Sequence, residues 1–313
     1  YAALPAHMFN SNLIPFDTIP DLQKVIVTNG ELTSQGFDNI RKAYRSLTYV
    51  DLYNSSNTVL PDFALENCYL IDTLFLPQHL EEIGFKSVAE CAYLEEIAIP
   101  LSVTKIGDSA FKNCTSLDSL SFADPYLKSD ESLLECIGNW AFYNCHALES
   151  LTVPEGVTEI GDGAFYGCTY VDQLNLPSSL LKIGDNAFAK CDHLKNITIH
   201  ASTPPTIEAR TFFDVNREIP VSVPEHSVES YSESVFWGEF VNYKASSVTT
   251  DISGIGVKDG VIIKNNNGIL EITNPHNYPV EFFDITGQKI SVDKVSQGVF
   301  IIRIGNTIQK IVL

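Results

Sequence analysis

The residues best equipped for chemistry in this chain of 313 residues are its seven cysteines and seven histidines. Six cysteines fall at positions 68, 91, 114, 145, 168 and 191, so the gaps between them are 23, 23, 31, 23 and 23. Thiols can pair, hold a metal or attack a substrate beside an imidazole. Cys145-His146 and Cys191-x-His193 are the places where a thiol and an imidazole lie closest. However, the histidines at 7, 79, 146, 193, 200, 226 and 276 are scattered, and no two have metal-ligand spacing. A fixed beat gives the simpler reading: each cysteine is a small, buried core residue of one repeat, followed by variable surface residues. Neighbouring coils would stack about 5 Å apart, within disulfide reach. In-register side chains run parallel, though, so free thiols are expected. Cys136 lies outside the register and is the one candidate for pairing or special reactivity. No catalytic residue, metal ligand or cofactor is assigned.

The repeat around each cysteine has the same wording. The copies run 60–82, 83–105, 106–136, 137–159, 160–182 and 183–207. Phe111, Phe142, Phe165 and Phe188 share one place, taken by Val88 in the second copy. Gly84, Gly107, Gly138, Gly161 and Gly184 share another, read as a sharp backbone turn. The stretch from Ala110, Ala141, Ala164 or Ala187 to its cysteine is expected to be a helical turn or 3₁₀ piece carrying Phe inward. Downstream, Ile97/Ile99, Leu120/Phe122, Leu151/Val153 and Ile197/Ile199 are two apart, as inward residues of a strand are. Pro77, Pro100, Pro154 and Pro177 close these strands. Such an array is a solenoid, with strands stacked into a parallel ladder. Residues 1–59 echo the phrase irregularly, with a helix over 36–45 and a strand over 49–52. The aromatic segment to Trp237 and Phe240 is expected to cover the last coil.

With those positions inward, the outward strand residues are Thr73/Phe75, Glu96/Ala98, Ser119/Ser121, Ser150/Thr152, Gln173/Asn175 and Asn196/Thr198. They are small, polar and nearly uncharged in a chain of net charge −19. A long, shallow, hydrogen-bonding face suits a protein or glycan better than a small molecule. The long interval before Cys145 places an eight-residue insertion within 124–135. Its carboxylates could attract calcium, but no glycine supplies a tight turn. It reads instead as a contact loop carrying Asp124, Tyr126, Asp130 and Glu131.

The phrase Ile160-Gly161-Asp162-Gly163-Ala164-Phe165-Tyr166-Gly167-Cys168, followed by Leu174, Leu176 and Pro177, resembles the bacterial leucine-rich repeats of BspA-like, Treponema-type surface proteins. That resemblance implies a mostly β leucine-rich repeat solenoid with short helices. It also implies adhesion to host or matrix proteins or to other bacteria. From about residue 246 the period vanishes. Short alternating strands appear around 261–264, 269–273, 280–285, 288–292, 299–304 and 308–312, separated by Asn267-Gly268, Thr286-Gly287 and Gly305-Asn306. They predict a small antiparallel β-sandwich. Phe283-Asp284-Ile285-Thr286-Gly287-Gln288, Gly298 to Arg303 and the ending Lys310-Ile311-Val312-Leu313 resemble the C-terminal sorting domain of type IX secretion substrates from Bacteroidetes. This second resemblance implies export across the outer membrane.

The domain plan expected is therefore a solenoid over 1–245 (irregular to 59, regular over 60–207, closing over 208–245) and a sorting-domain-like sandwich over 246–313. The acidic balance argues against nucleic acid, and no run is long enough to span a bilayer. The reading is a non-enzymatic, monomeric, extracellular or outer-membrane surface protein. It would bind a host or matrix protein, or a surface glycan, on the strand face. The alternative is a structural spacer presenting another domain.

Overall fold

A computed structural model describes residues 2–11, 19, 21–122 and 132–246, and in the remainder the strands 262–266, 269–273, 280–283, 289–290, 299–304 and 307–312. Two compact units result, Tyr1–Ala245 and Ser246–Leu313. The first is mostly β with a few short helices, wound as a parallel leucine-rich repeat solenoid.

Each regular coil has a long strand, a short strand and a turn segment. The short strands Val59–Leu60, Glu82–Ile83, Lys105–Ile106, Cys136–Ile137, Glu159–Ile160 and Lys182–Ile183 pair in one continuous parallel sheet. The long strands form three runs instead. Ala2–Leu4, Lys24–Val27, Tyr49–Asp51 and Thr73–Phe75 make the first, and Glu96–Ile99 with Ser119–Phe122 the second. Ser150–Thr152, Gln173–Leu176, Asn196–Ile199, Pro220–Pro224 and Asn242–Ser246 make the third. The second break follows Phe122, the last described residue before the inserted segment.

Between the two strand layers lies a column of rings. Phe111, Phe142, Phe165, Phe188 and Phe212 stack at 5.1, 5.1, 5.5 and 5.4 Å, with interplanar angles of 16° or less. All five are buried, and each contributes about 2–3 kcal/mol of burial. At the far end Trp237, Phe240 and Tyr231 close the column. Trp237 lies 5.3 Å from Phe212 and donates its indole N–H to the Pro205 carbonyl at 2.7 Å. The Tyr231 hydroxyl donates to the Ala201 carbonyl at 2.8 Å. An aromatic lid with satisfied polar atoms is what a solenoid end needs.

The turn segment carries its Phe inward as expected, but it is neither the helical turn nor the 3₁₀ piece expected. It is a chain of tight turns with two left-handed residues per coil, four apart. The pairs are Phe63/Asn67, Lys86/Glu90, Ser109/Asn113, Trp140/Asn144, Gly163/Gly167 and Asn186/Lys190, with φ between +50° and +73°. In this conformation every second N–H points to the next coil. Trp140, Phe142 and Asn144, for example, donate to Asp162, Ala164 and Tyr166 at 2.7–2.8 Å. A helix would have spent those groups within its own coil. In the irregular region the helix spans Ser34–Arg41, starting and ending earlier than expected, and Thr33 caps it.

The repeated glycine also has a different cause from the sharp turn expected. None of Gly84, Gly107, Gly138, Gly161 and Gly184 has positive φ. Instead each donates its N–H to the preceding coil at 2.7–2.8 Å, Gly161 to Ile137. A Cβ on Gly161 would stand 2.6 Å from the Asn139 nitrogen and 2.7 Å from the Gly138 carbonyl carbon. Close approach of two backbones, not a turn, requires glycine here.

The next residue holds the coils together from outside. The Asp108 carboxylate accepts the Asn139 N–H, the Asn139 side-chain oxygen the Asp162 N–H, and the Asp162 carboxylate the Asp185 N–H, each at 2.8 Å. What matters is a short side chain ending in an acceptor, charged or not. Asp162→Asn is therefore expected to shift the urea midpoint little, whereas Asp162→Ala costs about 1 kcal/mol. Equal losses in the two variants would point to charge instead.

In the second unit, Ile262–Asn266 pairs antiparallel with Ile269–Thr273. Val280–Phe283 lies between Lys289–Ile290 and Val299–Ile304, and Thr307–Val312 pairs with the latter, again antiparallel. Strands thus occupy each expected segment; 269–273 and 299–304 match at both ends, and the other ends shift by at most two residues.

Candidate binding surface

The structure places the outward strand residues in two columns. Glu96 pairs with Ser119, Ser150 with Gln173, and Gln173 with Asn196. Beside them Ala98 pairs with Ser121, Thr152 with Asn175, and Asn175 with Thr198. Glu96, Ser119, Ser121, Ser150, Thr152 and Gln173 are exposed; Thr73, Phe75, Asn175, Asn196 and Thr198 are half-buried. The Asn175 amide donates to the Thr152 hydroxyl at 3.2 Å, fixing one rung of this polar strip. Because the long-strand sheet breaks before Glu96 and before Ser150, the strip is a set of short panels rather than one ladder. At the first break a cleft of about 30 Å³, room for roughly one water, is lined by Tyr53, Leu74, Phe75, Leu76, Gln78, Ala98 and Pro100.

Three residues of this face were missed. Tyr49 and Asp51 pair with Thr73 and Phe75, and Lys24 pairs with Tyr49. Tyr49 lies 5.9 Å from Phe75, and the Lys24 ammonium sits 3.7 Å above the Tyr49 ring, so the N-terminal end of the face is aromatic and cationic. The signal was available: strand alternation over 49–52 puts Tyr49 and Asp51 on the side of Thr73 and Phe75. The insertion residues Asp124, Tyr126, Asp130 and Glu131 lie outside the described residues.

The thiols form a column of their own. The Sγ atoms of Cys91, Cys114, Cys145, Cys168 and Cys191 each donate to a carbonyl of the preceding coil, at 3.2–3.4 Å. Four of these acceptors, Leu65, Phe111, Phe142 and Phe165, also receive the N–H of the cysteine in their own coil, so there the thiol is a second, weak donor to a buried oxygen. Loss of solvent on burial pushes the thiols of Cys68, Cys114 and Cys191 up to about 12, and those of Cys91, Cys145 and Cys168 well above the usual range. A reactive thiol needs the opposite shift.

Cys136 occupies a place in the short-strand sheet between Lys105 and Glu159. On either side, Lys105 pairs with Glu82 at 3.1 Å and Lys182 with Glu159 at 2.8 Å. Partial burial first, and then Glu159, raise this thiol too, so special reactivity finds no support in its surroundings. Both imidazoles near thiols face elsewhere. His146 Nδ1 lies 2.7 Å from the Gly167 carbonyl, and the His193 ring packs edge-on against Tyr170 at 5.1 Å. Among the described residues no group of three His, Cys, Asp or Glu is placed to hold a metal, and no helix is long and apolar enough to cross a membrane.

The turn segments carry a second cluster, formed by Trp140, Tyr143 and Tyr166. Tyr143 and Tyr166 stack at 5.1 Å; Trp140 leans on them at 5.5 and 6.3 Å. The sequence offered no sign of it, because Phe63, Lys86, Ser109, Trp140, Gly163 and Asn186 share a backbone angle but no side-chain type.

A BspA-type leucine-rich repeat region, in six copies, matches residues 30–136 and 135–256, most of the chain. The chain belongs to the BspA-type leucine-rich repeat family. Solved structures similar to this BspA-type chain include a leucine-rich repeat protein from Eubacterium ventriosum, 19% identical with a TM-score of 0.42, over 60% of this chain and 43% of that one. Another, from Bacteroides ovatus, is 21% identical with a TM-score of 0.38, over 70% of this chain and 61% of that one. A leucine-rich cell surface protein from Faecalibacterium prausnitzii is 16% identical with a TM-score of 0.40, over 79% and 84% of the two chains. The chain thus spans less than half of the Eubacterium protein and less than two thirds of the Bacteroides one. No curated protein matches it. Within the BspA-type array, the recurring thiol is a packing element of the coil and the variable chemistry is confined to the outward strand and turn positions.

Proposed function

We propose that this chain is a bacterial surface or secreted protein that works by binding, holding a protein or glycan partner along the long-strand face. The solenoid over 1–245 would make the contact, as adhesins of this architecture do. The unit over 246–313, taken as a small sandwich of the sorting-domain kind, would serve export or attachment. One observation carries the reading: Ser119, Ser121, Ser150, Thr152, Gln173, Asn175, Asn196 and Thr198 form an uncharged strip of hydroxyls and amides in a chain of net charge −19. Each such group both donates and accepts, so the strip can match many polar partners without paying for a buried charge. The insertion loop, with Asp124, Tyr126, Asp130 and Glu131, would contribute at the break beside Ser150.

Arrays of matrix proteins and glycans test this directly. The intact chain is expected to bind at least one of them, and Ser150→Glu with Gln173→Glu to weaken that binding about tenfold or more by placing two carboxylates on the strip. A spacer, which the unbroken short-strand sheet would also suit, predicts no binding and no effect of the pair. That outcome would sink the binding role of this face.

A further inference from the structure

We propose a second ligand site on the turn segments, built on Trp140, Tyr143 and Tyr166, that takes a neutral saccharide. It lies on a different side of the coil from the long-strand face and is independent of the function proposed for that face. Trp140 has φ +57° and remains 38% exposed. The left-handed region disfavours a bulky side chain, and this one packs on the rings of Tyr143 and Tyr166 while more than a third of it stays in water. Its neighbour is adapted to receive it. Gly163 is a glycine where other coils carry side chains, and a Cβ there would stand 2.3 Å from the indole benzo ring. The indole therefore lies down across the fifth coil.

Gly167 repeats the arrangement four residues on. A Cβ on it would meet the Asn144 side-chain oxygen at 2.6 Å, so that amide also lies flat across the same coil. Asn144 in turn donates to Asn113 at 3.2 Å, and Asn113 to Glu90 at 2.6 Å. Along the chain Trp140 and Tyr143 stand between Asn139 and Asn144, and each of these belongs to a row of polar side chains fixed between coils: Asp108, Asn139 and Asp162 in one, Asn113 and Asn144 in the other. Aromatic planes bordered by fixed donors and acceptors suit a pyranose, whose faces are apolar and whose rim carries hydroxyls. Preorganisation lowers the ordering cost of binding it.

Other ligand classes fit less well. Three rings offer far less than the about 800 Å² per partner that a stable protein interface buries. Anions would meet Asp108 and Asp162 in a chain of net charge −19, against the ammonium of Lys112, 5.1 Å from the centre of the Tyr143 ring. A quaternary ammonium needs a cage, and here the rings touch one another at 5.1–6.3 Å with no gap between them.

Tryptophan emission reads the site, because the chain has two tryptophans and Trp237 is fully buried. Acrylamide quenching of the intact chain therefore reports Trp140. Cellotetraose, chitotetraose and mannotetraose are titrated into the low millimolar range, with tetramethylammonium chloride as the cationic probe. At least one tetrasaccharide is expected to protect Trp140 saturably, and Tyr166→Ala to weaken that protection about tenfold. Asn144→Ala, which leaves the rings in place, is expected to weaken it as well and serves if Tyr166→Ala melts early. Ser150→Glu with Gln173→Glu is expected to leave it unchanged. The proposal is overturned if none of the three tetrasaccharides protects, if tetramethylammonium protects instead, or if protection survives both Tyr166→Ala and Asn144→Ala.

Discussion

Raised from pH 7 to pH 10, the solenoid is expected to unfold at room temperature, and its thiols are the reason. Six of them are fully buried, and burial pushes Cys68, Cys114 and Cys191 up to about 12 and Cys91, Cys145 and Cys168 well above the usual thiol range. An unfolded cysteine titrates near 8.5. Below that pH the thiols are protonated in both states, and the full stability is present. Above it the unfolded chain releases protons that the folded chain retains, so stability falls until the folded thiols themselves ionise. Each thiol then contributes about 1.4 kcal/mol of loss per pH unit, reaching roughly 2 kcal/mol at pH 10. Six together reach on the order of 10 kcal/mol, comparable with the whole stability of an ordinary domain, about 5–15 kcal/mol. Tyr231 and Tyr243 at the closing end are raised by burial as well, and act in the same direction.

Urea midpoints at pH 7, 8.5 and 10 under reducing conditions check this, with circular dichroism following the transition. The double variant Cys114→Ala, Cys168→Ala is expected to be less stable at pH 7 yet to lose about a third less on going to pH 10. A slope unchanged by removing two thiols would refute the account. In the native state at pH 7.5, an aromatic disulfide reagent should reach Cys136 at most, and all seven thiols only after denaturation.

What could be read in the sequence was whatever repeats within one copy. The cysteine beat, the Phe column and the inward Ile97/Ile99 pairs are defined by residue type at fixed spacing. They lie in the core as the solenoid requires, except that Leu120 and Phe122, the inward pair next to the insertion, are only half-buried. What escaped was whatever joins one copy to the next. The Asp162 carboxylate answers a backbone N–H that is 23 residues away, and nothing about an isolated Asp announces this. The glycine before it was visible as a glycine, but its cause is a neighbouring backbone, which one copy read alone does not contain. Left-handed residues escaped for another reason: Trp140, Lys86 and Asn186 adopt the same φ because the coil-to-coil hydrogen bonds select it, against local preference. Trp140, Tyr143 and Tyr166 therefore look like unrelated surface aromatics until the coils are stacked. Tyr49 and Asp51 are legible, because the alternation that places Thr73 and Phe75 outward places them outward too.

Gly161→Ala is expected to cost about 3 kcal/mol, the upper range for overpacking, although it adds a single methyl group. The new Cβ would stand 2.6 Å from the Asn139 nitrogen, 2.7 Å from the Gly138 carbonyl carbon and 2.8 Å from the Asn139 side-chain oxygen. The first two are backbone and the third is held by the Asp162 N–H, so none can swing aside. Relief requires the fourth and fifth coils to separate, which stretches the bonds from Gly161 to Ile137 and from Asp162 to Asn139 together. Gly163→Ala in the same coil is the sharper comparison. There the clash, 2.3 Å, is with the Trp140 ring, a side chain that can rotate into solvent, and the left-handed backbone adds a penalty of about 1–2 kcal/mol. Gly163→Ala should therefore be the milder variant and should raise acrylamide access to Trp140, while Gly161→Ala should leave Trp140 where it is until the coils part. Hydrogen exchange should place the damage of Gly161→Ala at the Gly161 and Asp162 amides and their neighbours, sparing coils further away, since coils in an array couple mainly to their neighbours. If the two alanines cost the same, or exchange rises evenly along the solenoid, then backbone contact at Gly161 is not what sets the spacing of the coils.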